Sequence, residues 1–281
     1  VFSFHLFIKN SNYFKDKWII EGYNLDNLLL SKKWKSWEDQ NLSYSFQSNG
    51  LSNTLIVGNS HGVDTYKILS FNDRFKNQTN LAFFSGGQVE CFYNFIVEIE
   101  KDCKIDNKKE SIEAYDNSNI ILLSTKWYPK DLEIIEKLIV KLKKDKKKVI
   151  ITSNIPEYYH FHIFGNFFTP IDLSVYKKNK KLSESELKKL EQDYYTYQSD
   201  KVDEFFNQKK LNLKLEKISE ELEVIFLSKK DYICDQSFKR CSLTDKKGNK
   251  LFYDYAHITM SGAKFFSDKI NEIKWIDIGF K

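Results

Sequence analysis

Five short apolar runs, spread along the chain and separated by charged, helix-like stretches, constrain this sequence most. They are Thr54 to Val57, Leu81 to Phe84, Ile120 to Ser124, Lys148 to Thr152 and Val224 to Leu227. Each is rich in Ile, Val, Leu or Phe, as strands covered on both faces are. Between them, Gly62 to Ser70 reads as a helix that follows the first run directly. Asp131 to Lys144 (DLEIIEKLIVKLKK) repeats its apolar residues at helical spacing, with Pro129 just before its start. Glu184 to Glu221 is long, charged and amphipathic and reads as two helices packing on the sheet, and Ser261 to Ile270 reads as the closing helix. This alternation predicts an α/β fold: a mostly parallel sheet of about five strands with helices on both faces. Ligands of such sheets bind outside the carboxyl ends of the strands.

The pattern begins near residue 51. Residues 1–50, aromatic and Asn-rich with the mostly polar run Gln47 to Asn53, read as a lead-in arm or linker ahead of one domain over 51–281. A chain of 281 residues with 41% hydrophobic and 16% aromatic side chains can fill a core of that size. Lys and Arg (44) nearly balance Asp and Glu (39), and much of the Lys excess lies in Lys141 to Lys148, at a solvated helix end. The formal charge of +5 therefore argues for no nucleic-acid partner. No run of about 18 uninterrupted apolar residues exists, so nothing in this stretch spans a membrane unaided. The start at Val1, followed by the apolar VFSFHLFI, reads as a fragment or a processed form. The four cysteines form two close pairs in sequence, Cys91 with Cys103 and Cys234 with Cys241. Two readings fit that spacing equally: disulfides, which imply an oxidising compartment, or four buried free thiols. No CxxC spacing favours zinc. Tyr158 to Lys180 is too irregular to assign and reads as an insertion over the site.

The first strand runs into Gly58-Asn59-Ser60-His61 and then a helix. A serine at such a turn is exposed at the sheet edge, and backbone N–H groups at the helix start can hold a developing oxyanion. Taken alone, Ser60 is better explained as an ordinary turn or helix-cap residue. A nucleophilic serine needs a base, and only five histidines are available. His5 has no acidic neighbour, and His61, next to the serine, should point away from it. His160 and His162 in YYHFHIF share one face of an extended segment, with Glu157 the nearby acid, and read as packing or surface residues rather than metal ligands. His257, in LFYDYAHITMSGAKFF, follows Asp254 by three residues. An Asp at that spacing can reach the imidazole and fix its tautomer while the other nitrogen faces a hydroxyl.

The two blocks GNSH and DYAHITMSGA together resemble the SGNH (GDSL-like) hydrolase superfamily. More narrowly, the segment YICDQSFKRCSLTDKKGNKLFYDYAHITMSGAKFF and the strand IILLSTKWY resemble the SGNH domain attached to acyltransferase-family-3 membrane proteins. The resemblance spans roughly Thr54 to Ile270 and implies a flavodoxin-like three-layer SGNH hydrolase fold. It implies Ser60 as nucleophile, His257 as general base and Asp254 as its orienting carboxylate. Oxyanion donors would be the Ser60 N–H and a glycine after the second strand, Gly86 or Gly87, with Gly87 preferred. The cysteine pairing as disulfides and an extracytoplasmic setting also follow from it. Lys126 and Trp127 stand where a substrate contact is expected, with a solvated strand-end charge and core packing as the ordinary alternatives.

This sequence departs from the family pattern in Asn59, where many members have Asp, and in Thr259, where Ser is commoner. The third-block Gly-x-Asn-Asp is also missing, with Ser124 to Trp127 in its place. The implied activity is serine-dependent O-acetyl transfer to cell-surface polysaccharide or lipopolysaccharide sugars. Carbohydrate O-acetylesterase and a non-catalytic glycan-binding domain are the alternatives. The implied partners are a carbohydrate acceptor, an acyl donor and an acyltransferase membrane domain upstream; no cofactor or metal is required.

Overall fold

The computed structural model of the chain describes residues 19–20, 23–24, 27–84, 86–98, 103, 105, 108–157, 161–163, 166–168, 172, 174, 182–200 and 208–280. Five strands form its main sheet: β1 (Ser52–Val57), β2 (Thr79–Phe83), β3 (Ile120–Leu123), β4 (Lys148–Thr152) and β5 (Ile225–Leu227). All four pairings are parallel and the spatial order is β2-β1-β3-β4-β5. The chain turns one way from β1 to β2 and the other way from β1 to β3, so the crevice at their carboxyl ends is the topological switch point.

Because side chains alternate across a strand, each strand feeds both faces. Ile56, Leu122 and Ile150 point into one apolar layer, while Leu55, Val57, Ile121, Leu123 and Ile151 point into the other. The first layer is closed by α1 (Asn27–Asn41), α2 (Ser60–Ser70), α8 (Met260–Glu272) and α9 (Trp275–Phe280), through Trp34, Leu69, Phe266 and Phe280 among others. The second is closed by α3 (Val89–Ile96), α4 (Lys108–Asn117), α5 (Leu132–Lys144) and α7 (Gln208–Glu221), through Phe92, Ala114, Leu138 and Leu215. Also in the first layer is α6 (Glu184–Asp200), which packs its Tyr194 there and contacts β7 (Arg240–Cys241), the strand paired with β6 (Cys234–Asp235). The structure is thus the expected three-layer α/β sandwich.

Three expectations change. The segment read as a lead-in arm carries α1, and its Trp34 is 8% exposed, so packing of the core reaches upstream of residue 51. Of the two helices expected on the sheet from Glu184 to Glu221, α7 lies against β5, while α6 lies mainly against β7 and joins the first apolar layer through Tyr194. Beyond the expected closing helix, α9 packs its Trp275 and Phe280 into the same layer. Most of Tyr158 to Lys180 lies outside the described residues; a short antiparallel pair, Phe161–Ile163 with Asn166–Phe168, is described within it. Both cysteine pairs are disulfide-bonded, Cys91 to Cys103 and Cys234 to Cys241, the latter directly across the β6–β7 pairing. Among the described residues no helix is long and apolar enough to cross a membrane.

Candidate active site

The turn after β1 is set by main-chain contact. A Cβ at Gly58 would lie 1.8 Å from the Ser124 carbonyl oxygen and one at Gly62 would lie 2.6 Å from it. Glycine at both positions lets the first turn of α2 press against the end of β3. Asn59 caps that turn: its side-chain oxygen accepts from the His61 N–H at 3.0 Å and from the Lys126 N–H at 3.2 Å. Thr65 on α2 meets the Ser124 hydroxyl at 2.7 Å, and Thr152 on β4 donates to the same hydroxyl at 3.2 Å. The Ser-Thr-Lys-Trp sequence ending β3 therefore latches the serine turn to the sheet. Asn59 supplies its oxygen to both N–H groups without the charge an Asp would place there.

His257 comes from a tight turn closed by the Phe252–Ile258 bridge and by Tyr253 N–H donating to the His257 carbonyl at 3.0 Å. Asp254 organises it. One carboxylate oxygen accepts the N–H groups of Ala256 at 2.9 Å and His257 at 2.7 Å, which fixes the backbone. The other oxygen is thereby aimed at His257 Nδ1, 2.7 Å away. His257 Nε2 lies 2.8 Å from Ser60 Oγ. Thr259 then caps α8 through the Gly262 N–H at 3.0 Å and donates to the Lys250 carbonyl at 2.6 Å, so Thr serves here as Ser would. A buried ion pair between Lys250 and Asp172, 2.6 Å, pins the strand leading into the turn.

Ring packing holds the imidazole from several sides. Tyr253 stacks on it with centroids 5.7 Å apart, Trp34 meets it edge-on at 6.1 Å, and His61 is tilted against it at 5.0 Å. Burial alone would lower the His257 pKa; the hydrogen bond and charge of Asp254, helped by Asp64 and Glu157, outweigh burial and raise it. His61 is driven the other way, well below the usual histidine range, by its burial and by the charges of His257, Lys229 and Lys126. It points away from Ser60's partner chemistry only in part, since it packs on the very ring that Ser60 meets. The arrangement can pass the Ser60 proton to Nε2 while Asp254 keeps Nδ1 protonated, leaving an oxygen nucleophile at the mouth of the crevice.

Other expected residues divide. Among the described residues no acceptor meets the Ser60 N–H, which opens α2 and carries its positive dipole end. Gly87 follows β2 on the same sheet edge with φ of +69°, a left-handed conformation suited to glycine. Lys126 lies beyond the end of β3, paired with Glu157 at 2.7 Å and 5.1 Å from the Tyr255 ring centroid. Trp127 is corrected: its side chain is 1% exposed, its indole N–H donates to the Thr152 carbonyl at 2.7 Å, and it belongs to the core rather than to a substrate surface. His5 and His160 lie outside the described residues, and of His162 only the backbone is described. Sequence reasoning missed Trp34 and Asp64. Asp64 was findable, since it stands one helical turn after Ser60 and shares its face.

A parallel sheet in the order β2-β1-β3-β4-β5, with Ser60 at the end of β1 and His257 brought to it from the turn before α8, defines the SGNH hydrolase class of fold. The family model for the SGNH domain (fused to AT3 domains) matches residues 32–272, and the chain belongs to that family. No curated protein sequence matches it. Among solved structures it is similar to the periplasmic domain of a Salmonella ser. Paratyphi A lipopolysaccharide acetyltransferase, at 16% identity and a TM-score of 0.50, covering 88% of this chain and 97% of that one. It is also similar to a GDSL-like lipase of Bacteroides thetaiotaomicron, at 12% identity and a TM-score of 0.42, covering 89% and 97%.

Proposed function

We propose that this domain is a serine-dependent O-acyltransferase that moves an acetyl group to sugars of a cell-surface polysaccharide or lipopolysaccharide. The observation that carries the reading is the continuous line Asp254 to His257 to Ser60, with contacts of 2.7 and 2.8 Å. In it, Ser60 Oγ attacks the acyl carbonyl as His257 takes its proton, and the N–H groups of Ser60 and Gly87 receive the developing oxyanion. The acyl-enzyme is then resolved by a sugar hydroxyl, which His257 deprotonates in turn. Lys126, ion-paired with Glu157 and with Tyr255 and Tyr128 beside it, is the candidate contact for the sugar acceptor. Fusion of family members to membrane acyltransferase domains supports an acyl donor delivered from such a domain, and the two disulfides support an extracytoplasmic setting.

Resolution by water instead of sugar would make the same residues an O-acetylesterase, a reading favoured by the partial exposure of Ser60. Nitrophenyl acetate tests the shared half-reaction: Ser60→Ala should abolish turnover, and rapid quenching of wild type should show one acetyl on the Ser60 peptide by mass. Wild type turning over no faster than Ser60→Ala would leave a non-catalytic glycan-binding domain. Adding acceptor oligosaccharide separates the first two, since acetylated sugar appears only if transfer competes with hydrolysis.

A further inference from the structure

Beneath the serine lies a carboxylate that the acyl-transfer steps above do not use. Asp64, on α2 one turn below Ser60, is 2% exposed. Its Oδ1 accepts the Trp34 indole N–H at 2.8 Å, and its Oδ2 accepts the N–H of Ile258, the residue after His257, at 3.4 Å. Asp64 therefore holds two groups that fix His257: the indole lying edge-on to the imidazole and the backbone just past it. Lys67, whose charge acts on Asp64, is fully buried, with Nζ 4.2 Å from the Trp34 ring centroid and no hydrogen-bond partner among the described residues.

Burying two charges costs several kcal/mol for each ion, and apolar residues of similar volume often stabilise better. Satisfying the Trp34 and Ile258 N–H groups explains oxygen acceptors here but gives no reason for a full charge. A charge change on a neighbouring ring does. We propose that Asp64 is a positioning residue for His257, a second carboxylate that sets the ring through Trp34 and the Ile258 N–H and steadies the imidazolium formed when Ser60 gives up its proton. The proposal rests on the acyl-transfer reading of Ser60, His257 and Asp254.

Burial is the largest influence on the Asp64 carboxyl and leaves its pKa raised above the usual carboxylate range; His257, Lys67 and the Trp34 N–H pull it back toward the ionised form, and Asp254 opposes them. Other groups face the imidazole as well. His61 on α2 is kept neutral by burial; Glu157, from the loop after β4, is paired with Lys126 from the loop after β3. Lys229, after β5, is fully buried, is pushed down to about 7 by that burial, and is held up in part by Asp64. The Tyr253 and Tyr255 phenols are pushed up by burial and stay neutral.

Asp64→Asn keeps the shape and an oxygen for the Trp34 indole while removing the charge. The His257 pKa is read by NMR titration of histidine-labelled protein, with the resonance assigned by its loss in His257→Asn. We expect it to fall by about half a unit or more in Asp64→Asn. With nitrophenyl acetate, kcat should drop by about tenfold or more while KM stays within about twofold. A folded Asp64→Asn protein in which His257 titrates as in wild type overturns the proposal. If that variant does not fold, carboxyl NMR of the unsubstituted protein decides: Asp64 ionised throughout the His257 titration supports it, and Asp64 protonated there overturns it. The titration reads the imidazole directly, so it stands apart from turnover. Failure of the acyl-transfer reading shows instead as wild type no faster than Ser60→Ala.

Discussion

Asp254 divides its two oxygens between the backbone of its own turn and the imidazole, so the same carboxylate builds the loop and sets the tautomer. An amide in its place can still accept the backbone N–H groups but presents a donor or the wrong tautomer partner to Nδ1. Asp254→Asn is therefore expected to fold and to lose about 10³-fold or more in kcat on nitrophenyl acetate. His257 works as a base only when neutral, and its pKa lies above the ordinary value of about 6.5, so kcat/KM should rise with pH through that elevated value and then level off. Stability runs the opposite way for this group. A raised folded-state pKa gives a contribution fully present below about 6.5 and lost as pH climbs through the folded value. His61, depressed by burial, contributes with the other sign: its share is present above about 6.5 and is lost as pH falls toward its folded value. Urea unfolding followed across pH 5 to 9 in His61→Asn and wild type checks that second sign, since the acid-side loss should shrink in the variant. Both halves of the Ser60–His257 pair were legible because each sits in a short local pattern. Trp34 was not, because what recruits it is a contact with Asp64 between chain segments 30 residues apart, whereas Asp64 stands one helical turn after Ser60 and could have been found from that spacing.

At the scale of elements, the strands were readable because a parallel strand buried on both faces is apolar without interruption. Helices at the surface were harder. α1 has only a thin apolar stripe, Leu30, Trp34 and Trp37, among Lys, Ser and Asn, and of its described side chains Trp34 alone is buried, so the stripe announces it weakly. α4 likewise buries only Ser111 and Ala114. The junction of β1, α2 and β3 depends on two glycines whose missing side chains are filled by the Ser124 carbonyl. Gly58→Ala cannot be relieved by a rotamer change, because the clash is with main chain. It should destabilise the domain by roughly 1–3 kcal/mol in urea unfolding, and it should lower turnover by more than about tenfold through displacement of the Ser60 turn. Wild-type turnover in Gly58→Ala would show that the turn tolerates a shift the packing says it does not.

For the molecule as a whole, the two disulfides sit at opposite ends of the domain's sequence: one joins α3 to the segment beyond it, and the other clasps the hairpin that precedes the His257 turn. Intact mass under non-reducing conditions should fall short of the reduced chain by four hydrogens, and reduction should lower stability by about 2 to 3 kcal/mol for each bridge. Four free thiols in protein produced in an oxidising compartment would count against the proposed extracytoplasmic setting. The spacing of the cysteines left bridges and free thiols equally open, and only the pairing of β6 with β7 decides how closely Cys234 and Cys241 face each other. Ser60 and the histidine it meets are 197 residues apart in sequence. A ribosome adding about 5 to 20 residues each second therefore leaves the serine half of the domain waiting roughly 10 to 40 s for its base. On the proposed reading, the growing chain holds an unarmed hydroxyl throughout that interval, and the domain could react only once α8 and α9 have closed the fold around His257.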